Sequence, residues 1–145
     1  MRKISCLLIF SLVFFTKFGH IKPKHYKRIE SKSSIKHLEI NDSNLLNICK
    51  LHGLIEPEIV LAQAKLETGN YSSDVFITNN NLFGLYDSNN KEYYKYDTWE
   101  ESVIAYKNLI QSKLYDDEDY YDFLKRIGYA QDPKYIKKVK SVYNN

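Results

Sequence analysis

The sequence predicts an α+β fold that is mostly α-helical, with one short β-hairpin. From about Glu39 onwards, apolar residues recur at helical intervals, and the segments that carry them begin at capping residues and end at glycines. Only between Leu85 and Tyr96 does the pattern change to one that suits a hairpin. A chain of 145 residues is long enough for one domain with a substantial core, and we expect that domain to occupy residues 39–145.

Two helices come first. We expect Asp42 or Ser43 to cap the first helix and Gly53 to follow its end. Its apolar side chains are Leu45, Leu46, Ile48, Cys49 and Leu51. The second helix is predicted to run from Pro57, a residue that suits a first turn, to Thr68, with Gly69 as its terminator.

The hairpin is predicted between Leu85 and Tyr96. Asn89 and Asn90 can form its tight turn, and Tyr94 and Tyr96 fall on one face because side chains alternate along a strand.

Three further helices are predicted after the hairpin. Thr98 and Glu101 have the spacing of a capping box, and the helix that follows presents an apolar stripe of Trp99, Val103, Tyr106 and Ile110. Asp119 is expected to cap the next helix, which contains Phe123, Leu124 and Ile127 and ends at Gly128. Asp132 and Pro133 are expected to start the last helix, whose stripe is Ile136, Val139 and Tyr143.

Residues 1–20 are predicted to be a signal peptide or an N-terminal anchor. Arg2 and Lys3 precede a mostly apolar run over residues 4–15, which is shorter than the roughly 20 residues that span a bilayer. Residues 21–38 are polar and basic, and we expect a flexible linker that can contact the envelope or a membrane loosely. The protein is therefore expected to be exported, to the periplasm, the cell envelope or the medium.

Charge and cysteine content exclude several classes of function. Residues 38–145 carry 12 basic and 17 acidic side chains, so we expect no nucleic-acid partner. Cys49 would be the sole cysteine left after removal of the leader, and its apolar neighbours predict burial. The four histidines all precede residue 53, so we expect no metal site and no cofactor. A monomer is expected.

Glu67 is the candidate for chemistry on the apolar second helix. It shares a face with Val60 and Ala64, at helical spacing. The spacing alone leaves two interpretations open. Glu67 is either a solvated charge at a helix end or a partly desolvated carboxyl, whose raised pKa would keep a proton available near neutral pH.

A polar turn and a high density of aromatic residues follow. Asparagine amides in the segment NNNLFG, residues 79–84, can orient sugar hydroxyls and N-acetyl groups, or can equally shape the turn. Aromatic rings offer flat faces that suit a carbohydrate groove, although many of them are expected to pack in the core. The candidate substrate-binding residues are Asn80, Asn81, Phe83, Tyr71 and Tyr96.

Four segments together resemble the bacterial glucosaminidase domain of glycoside hydrolase family 73, which includes the flagellar rod-cap muralytic domain and many autolysins. LAQAKLETG at 61–69 resembles its catalytic-helix motif, and NNLFGL at 80–85 its NNLFG turn. YKYDTWEES at 94–102 is similar to its "F-R-x-Y-D-S-x-x-E-S" segment, and YAQDPKY at 129–135 to its "Y-A-T-D-P-x-Y" element. The four segments occur in the family's order.

The resemblance implies a lysozyme-like helical fold with a groove beside a small β-lobe. It implies cleavage of the peptidoglycan glycan strand after N-acetylglucosamine, with Glu67 in the position of the general acid. Tyr129 takes the position of a cleft tyrosine that orients the substrate or a water. Asp132 belongs to the same element, and we expect it to serve as a helix N-cap.

The sequence departs from the family pattern in two places. The first is that Tyr71 stands near the position of a tryptophan in the family's "E-S-G-W-G". The second is a shorter β-lobe: many members carry a second catalytic carboxylate on a longer one, and Glu92 is the main candidate for it here. An exposed strand residue is the alternative for Glu92. Without a second carboxylate, the N-acetyl group of the substrate could act as nucleophile, or its 6-hydroxyl could close an anhydro ring, as in lytic transglycosylases. A non-catalytic protein that binds peptidoglycan or assists envelope assembly is the remaining hypothesis.

Overall fold

The computed structural model describes residues 38–144. Within that range the chain forms six α-helices and one antiparallel pair of two-residue strands. The helices are α1 (Asp42–Leu51), α2 (Pro57–Thr68), α3 (Asp74–Asn79), α4 (Trp99–Leu109), α5 (Tyr120–Arg126) and α6 (Tyr135–Tyr143). The strands are β1 (Tyr86–Asp87) and β2 (Glu92–Tyr93), and a single 3₁₀ turn covers Gln111–Lys113. The predicted mostly helical α+β fold with a very short hairpin is confirmed.

Helix α2 is the centre of the helical part, since α6 and α1 both pack against it. Its apolar composition explains this position, because side chains on most sides of the helix are buried: Ile59, Val60, Ala62, Gln63, Ala64 and Thr68. Its end is also as predicted. Gly69 adopts a left-handed conformation at φ 55°, which a glycine accepts without a steric penalty.

Helix α4 presents the predicted stripe to the core. Trp99, Val103, Tyr106 and Ile110 are all buried, and the Trp99 indole Nε1 donates a hydrogen bond of 2.8 Å to the carbonyl of Leu38. Residue 38, the last residue of the predicted linker, is thereby held against the domain. Cys49 is fully buried, as its apolar neighbours predict.

Helix α3 is absent from the sequence prediction. Ser73 caps it, and its side chain accepts a hydrogen bond from the Phe76 amide. Val75, Ile77 and Thr78 are β-branched and disfavour a helix. Burial of Phe76 and the left-handed cap at Asn80 fix this helix instead.

Two predicted N-caps and one predicted capping box differ from the structure. Asn41 caps α1, in place of Asp42 or Ser43, by accepting a hydrogen bond of 2.8 Å from the Asn44 amide. At α4 Thr98 is the N-cap, but its side chain makes no capping bond, and Glu101 accepts from the Asp97 amide at 3.0 Å.

Helix α6 begins at Tyr135, because Asp132 accepts hydrogen bonds from the amides of Lys134 and Tyr135 and forms a turn ahead of it. Asp132 is therefore not the N-cap. The buried residues of α6 are Tyr135 and Val139, whereas Tyr143 is half exposed.

The predicted leader and the linker as far as residue 37 lie outside the described residues. No helix within residues 38–144 has the length and apolar character needed to cross a bilayer.

Candidate active site

Glu67 lies on the last turn of α2, where the buried helix reaches the surface. The helix ends directly after it, because the Thr68 hydroxyl donates to the Ala64 carbonyl at 2.7 Å and accepts from the Tyr71 amide at 2.8 Å. The Glu67 side chain is therefore held at a fixed point beside the core rather than at a frayed helix end.

The carboxyl group of Glu67 is more enclosed than the residue as a whole. The residue is partly exposed, but its Oε1 is buried and has no hydrogen-bond partner. Burial raises the pKa of Glu67 to about 7, and the Tyr135 hydroxyl beside it opposes the shift. The helix C-terminus acts in the same direction as burial, since its dipole is unfavourable for a negative charge. A carboxyl in this state retains its proton near neutral pH.

Three tyrosines from different elements lie close enough to Glu67 to sense its charge. They are Tyr93 on β2, Tyr129 between α5 and α6, and Tyr135 at the start of α6. Burial raises the pKa of each, and the negative charge of Glu67 adds to the increase. The hairpin, the segment after α5 and α6 thus converge on one carboxyl group.

The turn over residues 79–84 lies beside the Glu67 carboxyl. Gly84 has φ +59°, and a β-carbon placed on it would lie 3.9 Å from Glu67 Oε2. The chain therefore passes close to the carboxyl here, and only a hydrogen occupies the side-chain position.

The amides of Asn80 and Asn81 hold this turn against the hairpin. The Asn81 Nδ2 donates to the carbonyls of Leu85 and Tyr94 at 2.8 and 3.0 Å, and its Oδ1 accepts from the Leu85 amide. The Asn80 Nδ2 donates to the carbonyls of Tyr96 and Asp97. Sugar contacts by these amides stay a prediction, whereas their contacts to the turn are present.

Phe83 and Tyr129 are both buried beside the turn. The Phe83 ring packs on Tyr106 with centroids 4.2 Å apart, and the Tyr129 hydroxyl donates to the Phe83 carbonyl at 3.2 Å. Tyr129 is only 2% exposed. Tyr129 lies close enough to Glu67 to sense its charge, and its hydroxyl holds the turn; its role in orienting the substrate or a water stays a prediction.

Tyr71 and Tyr96 stand apart from this cluster. The Tyr71 hydroxyl donates to Asp42 Oδ1 at 2.8 Å, in a surface depression that it shares with Lys65 on the α1 side of α2. The Tyr96 ring stacks on Tyr94 with centroids 6.4 Å apart, and its hydroxyl is buried without a partner. Their predicted role in substrate binding stays a prediction.

Glu92 lies next to Tyr93 on β2. The cross-strand pairs are Tyr86 with Tyr93 and Asp87 with Glu92, and successive side chains of a strand point to opposite faces. Tyr93 senses the charge of Glu67, so Glu92 and Asp87 belong to the other face. Glu92 is exposed, and we assign it no part in the reaction proposed below.

A comparison with protein-family models identifies the family of the chain. The model named Glucosaminidase, described as mannosyl-glycoprotein endo-beta-N-acetylglucosaminidase, matches residues 43–145. The chain belongs to this glucosaminidase family. A search of curated proteins found no match. Membership implies a glycoside hydrolase of the endo-β-N-acetylglucosaminidase type, with the glycan of peptidoglycan as its substrate class.

The structure adds residues that the sequence prediction did not assign to the site. Gln63 lies one helical turn before Glu67, a spacing that could have identified it. Tyr135 closes the segment YAQDPKY. Tyr93 and Gly84 carried no comparable signal, since their proximity to Glu67 depends on how the hairpin docks. Among residues 38–144, His, Cys, Asp and Glu form no cluster that could hold a metal ion.

Proposed function

We propose that this protein cleaves the glycan strand of peptidoglycan after N-acetylglucosamine, with Glu67 as the general acid. One observation carries the proposal: Glu67 Oε1 is buried without a hydrogen-bond partner at the position that matches the family's catalytic acid, and this burial raises the pKa of Glu67 to about 7. An ordinary glutamate at a solvated helix end would lose its proton near pH 4.3 and would hold too few protons at neutral pH to protonate a leaving group.

Glu67 donates its proton to the glycosidic oxygen as the bond to the sugar carbon breaks. The positive charge that develops on the sugar ring is then neutralised by a nucleophile. Among the described residues, neither Glu92 nor Asp87 faces the proton donor, as the pairing of the two strands indicates. We therefore propose that the substrate supplies this group, either its N-acetyl oxygen or its 6-hydroxyl.

The proposal is tested with Glu67→Gln, which keeps the size of the side chain and removes the acid. We expect clearing of purified cell walls to fall by at least about a hundredfold, the usual contribution of a positioned general acid. Glu92→Gln is the matched control and should clear walls like the parent. Circular dichroism checks that both variants are folded. Parental activity in Glu67→Gln would refute the assignment.

Product analysis decides how the second step proceeds. A free reducing end after cleavage indicates hydrolysis, whereas an anhydro end, lighter by one water, indicates attack by the 6-hydroxyl. The lack of a carboxylate facing Glu67 from the hairpin is the observation that keeps the transglycosylase-type product as the second candidate. A protein that binds walls and releases neither product would instead be a non-catalytic binding protein.

We further propose that residues 1–20 direct export and that residues 21–38 form a basic linker to the domain. The support is the basic start and apolar run of the leader, together with the start of the family match at residue 43. Fractionation of cells that express the full chain, with N-terminal sequencing of the product, tests this. Intact protein in the cytoplasm would contradict it.

A further inference from the structure

A continuous chain of buried hydrogen bonds crosses the core and ends beside Glu67. Its members are Gln111, Tyr120, Tyr106, Gln63 and Tyr135, which are between 0 and 8% exposed. The chain starts at the backbone of Ile55, in the connection between α1 and α2. Buried polar chains of this kind are strongly constrained, because each group left without a partner is costly.

The backbone of Ile55 fixes the direction of the first link. The Ile55 amide donates to Gln111 Oε1 at 3.0 Å, and Gln111 Nε2 donates to the Ile55 carbonyl at 2.8 Å. A backbone N–H only donates and a carbonyl only accepts, so the Gln111 amide cannot be turned over. Its Nε2 must then donate to the Tyr120 hydroxyl oxygen, which lies 2.7 Å away.

The direction of every later bond follows from this start. The Tyr120 oxygen accepts from Gln111, which leaves its hydrogen for the Tyr106 oxygen at 2.9 Å. The Tyr106 hydroxyl in turn donates to Gln63 Oε1 at 2.9 Å. The Gln63 oxygen is thereby occupied, and Gln63 Nε2 donates to the Tyr135 hydroxyl oxygen at 3.2 Å.

The reverse direction leaves a hydrogen unused. If Gln63 turned over, its Nε2 would face the Tyr106 oxygen, and Tyr106 would have to donate to Tyr120. The Tyr120 hydrogen would then meet the Gln111 Nε2, which is itself a donor. The forward direction therefore satisfies each hydroxyl of the chain, and it leaves the hydrogen of Tyr135 as its free end.

We propose that Gln63, Tyr106 and Tyr135 are positioning residues, and that their directed chain of hydrogen bonds turns the Tyr135 hydroxyl hydrogen towards the Glu67 carboxyl. Gln63 and Glu67 lie one turn apart on the same face of α2, and the Tyr135 hydroxyl that meets Gln63 at 3.2 Å also acts on the Glu67 carboxyl. For its catalytic consequence the inference rests on the proposed role of Glu67 as acid. Its structural content, the direction of the chain, stands without that role.

The other groups that face Glu67 have a different effect. Tyr93 from β2 and Tyr129 from the segment before α6 sense its charge, and neither acts on the pKa of Glu67 as Tyr135 does. Within the described residues no charged side chain contributes to that pKa. A donated hydrogen stabilises the carboxylate, so the chain holds the pKa below the value that burial alone would give.

The test is a direct titration of Glu67 by ¹³C NMR of its carboxyl carbon, assigned by difference from Glu67→Gln. Tyr135→Phe removes the donor and is expected to raise the pKa by on the order of one unit. In Tyr106→Phe the Gln63 amide is free to turn over, and its oxygen can then accept from the Tyr135 hydroxyl. The Tyr135 hydrogen is therefore shared between Gln63 and Glu67. We expect roughly half of the same shift, although Tyr106 is not in contact with Glu67. The double variant Tyr106→Phe/Tyr135→Phe should titrate like Tyr135→Phe alone.

Val139→Ala is the matched control, because it removes core volume from α6 and leaves every hydrogen-bonding group of the chain in place. It should lower the melting temperature and leave the titration unchanged. An unchanged pKa in Tyr135→Phe or in folded Tyr106→Phe would overturn the inference, as would additive shifts in the double variant. If Tyr106→Phe does not fold, Tyr120→Phe replaces it with the opposite expectation. Gln63 Oε1 is then the acceptor left for Tyr106, so the direction of the remaining bonds is kept and the pKa should stay parental. A shifted pKa in Tyr120→Phe, or an unchanged one in Tyr135→Phe, would overturn the inference.

Activity separates this inference from the proposed function. If Glu67 is the acid, the rate of wall clearing falls at alkaline pH as Glu67 loses its proton. In Tyr106→Phe this fall moves to higher pH by the same amount as the Glu67 pKa that NMR measures. If wall clearing is absent but the titrations shift as described, the proposed function fails and the directed chain stands.

Discussion

Gly84 lies close to the candidate acid Glu67. Glu67 Oε2 lies 3.9 Å from the place that a β-carbon on Gly84 would occupy, so a methyl group fits there but lies against the carboxyl. The positive φ of Gly84 adds a conformational demand that glycine meets at no cost. Gly84 therefore serves the turn and also leaves space beside the Glu67 carboxyl.

The first prediction concerns Gly84→Ala. We expect a loss of about 1–2 kcal/mol in the free energy of unfolding, the cost of a left-handed conformation for an L-residue. We also expect wall clearing to fall by roughly tenfold or more, since the methyl group displaces the leaving-group oxygen from the acid. Chemical denaturation and initial rates measure the two effects separately.

Gly128→Ala is the control for strain. Gly128 has φ +61° and no atom within 4 Å of the added β-carbon, so it carries a similar conformational cost away from the carboxyl. It should lose similar stability and keep parental activity. Equal activity losses in the two variants would show that strain alone, rather than proximity to Glu67, explains the effect.

At the scale of elements, the turn over residues 79–84 joins the hairpin to the helical part. Asn81 alone makes three hydrogen bonds to the backbone of Leu85 and Tyr94, and it is 1% exposed. Asn80, by contrast, is partly exposed and makes its bonds to the segment after the hairpin. The position of Gly84 against Glu67 depends on this connection.

The second prediction is that Asn81→Ala lowers the free energy of unfolding by about 3 kcal/mol, because buried backbone groups lose their partners. Asn80→Ala should cost less, since water can replace its bonds. Urea denaturation measures both. A stable Asn81→Ala variant with a raised KM for glycan fragments would instead support the alternative that Asn81 binds sugar.

The elements differ in how far the sequence could predict them. The start of α2 at Pro57 and its end at Gly69 could be predicted because both residues act through their own backbone. The capping residue of α1 could not, since Asn41, Asp42 and Ser43 are all competent and only the final chain direction selects Asn41. Helix α3 forms because Phe76 is buried, although the β-branched residues of this segment disfavour a helix. No hydrophobic periodicity in the sequence indicates that burial.

The site shows the same division. Glu67 and Tyr129 could be proposed as site residues because each belongs to a segment that resembles a motif of the family, and the structure places the two residues close together. The directions of the bonds between Gln111 and Tyr135 were not, because residues 72 positions apart, Gln63 and Tyr135, must first be brought into contact. Long-range pairing of this kind leaves no local pattern.

At the scale of the whole molecule, ionisable groups divide into two sets with opposite effects of pH. Asp42, Glu118 and Asp132 accept hydrogen bonds from Lys65, Arg126 and Lys138 at 2.6 Å. These bonds lower the pKa of each carboxyl. Their stabilisation is present above the unfolded pKa and is lost as the pH falls through the folded pKa.

The contribution of Glu67 to stability depends on pH in the opposite direction. Its folded pKa of about 7 lies above the ordinary value of 4.5, so the folded state binds a proton that the unfolded state has released between these two values. The stabilisation by protonated Glu67 is complete below about pH 4.5 and declines as the pH rises through 7.

The third prediction follows from that sign. In Glu67→Gln the titrating group is gone, so the parent should lose up to about 3 kcal/mol relative to this variant between pH 4.5 and 7.5. Urea unfolding of both proteins at several pH values measures the difference, in which the contributions of the ion-paired carboxyls cancel because both proteins share them. A difference independent of pH would mean that the Glu67 carboxyl titrates alike in the folded and unfolded chains. The proton needed at neutral pH would then not be held on Glu67, and the energetic basis for its role as the acid would be lost.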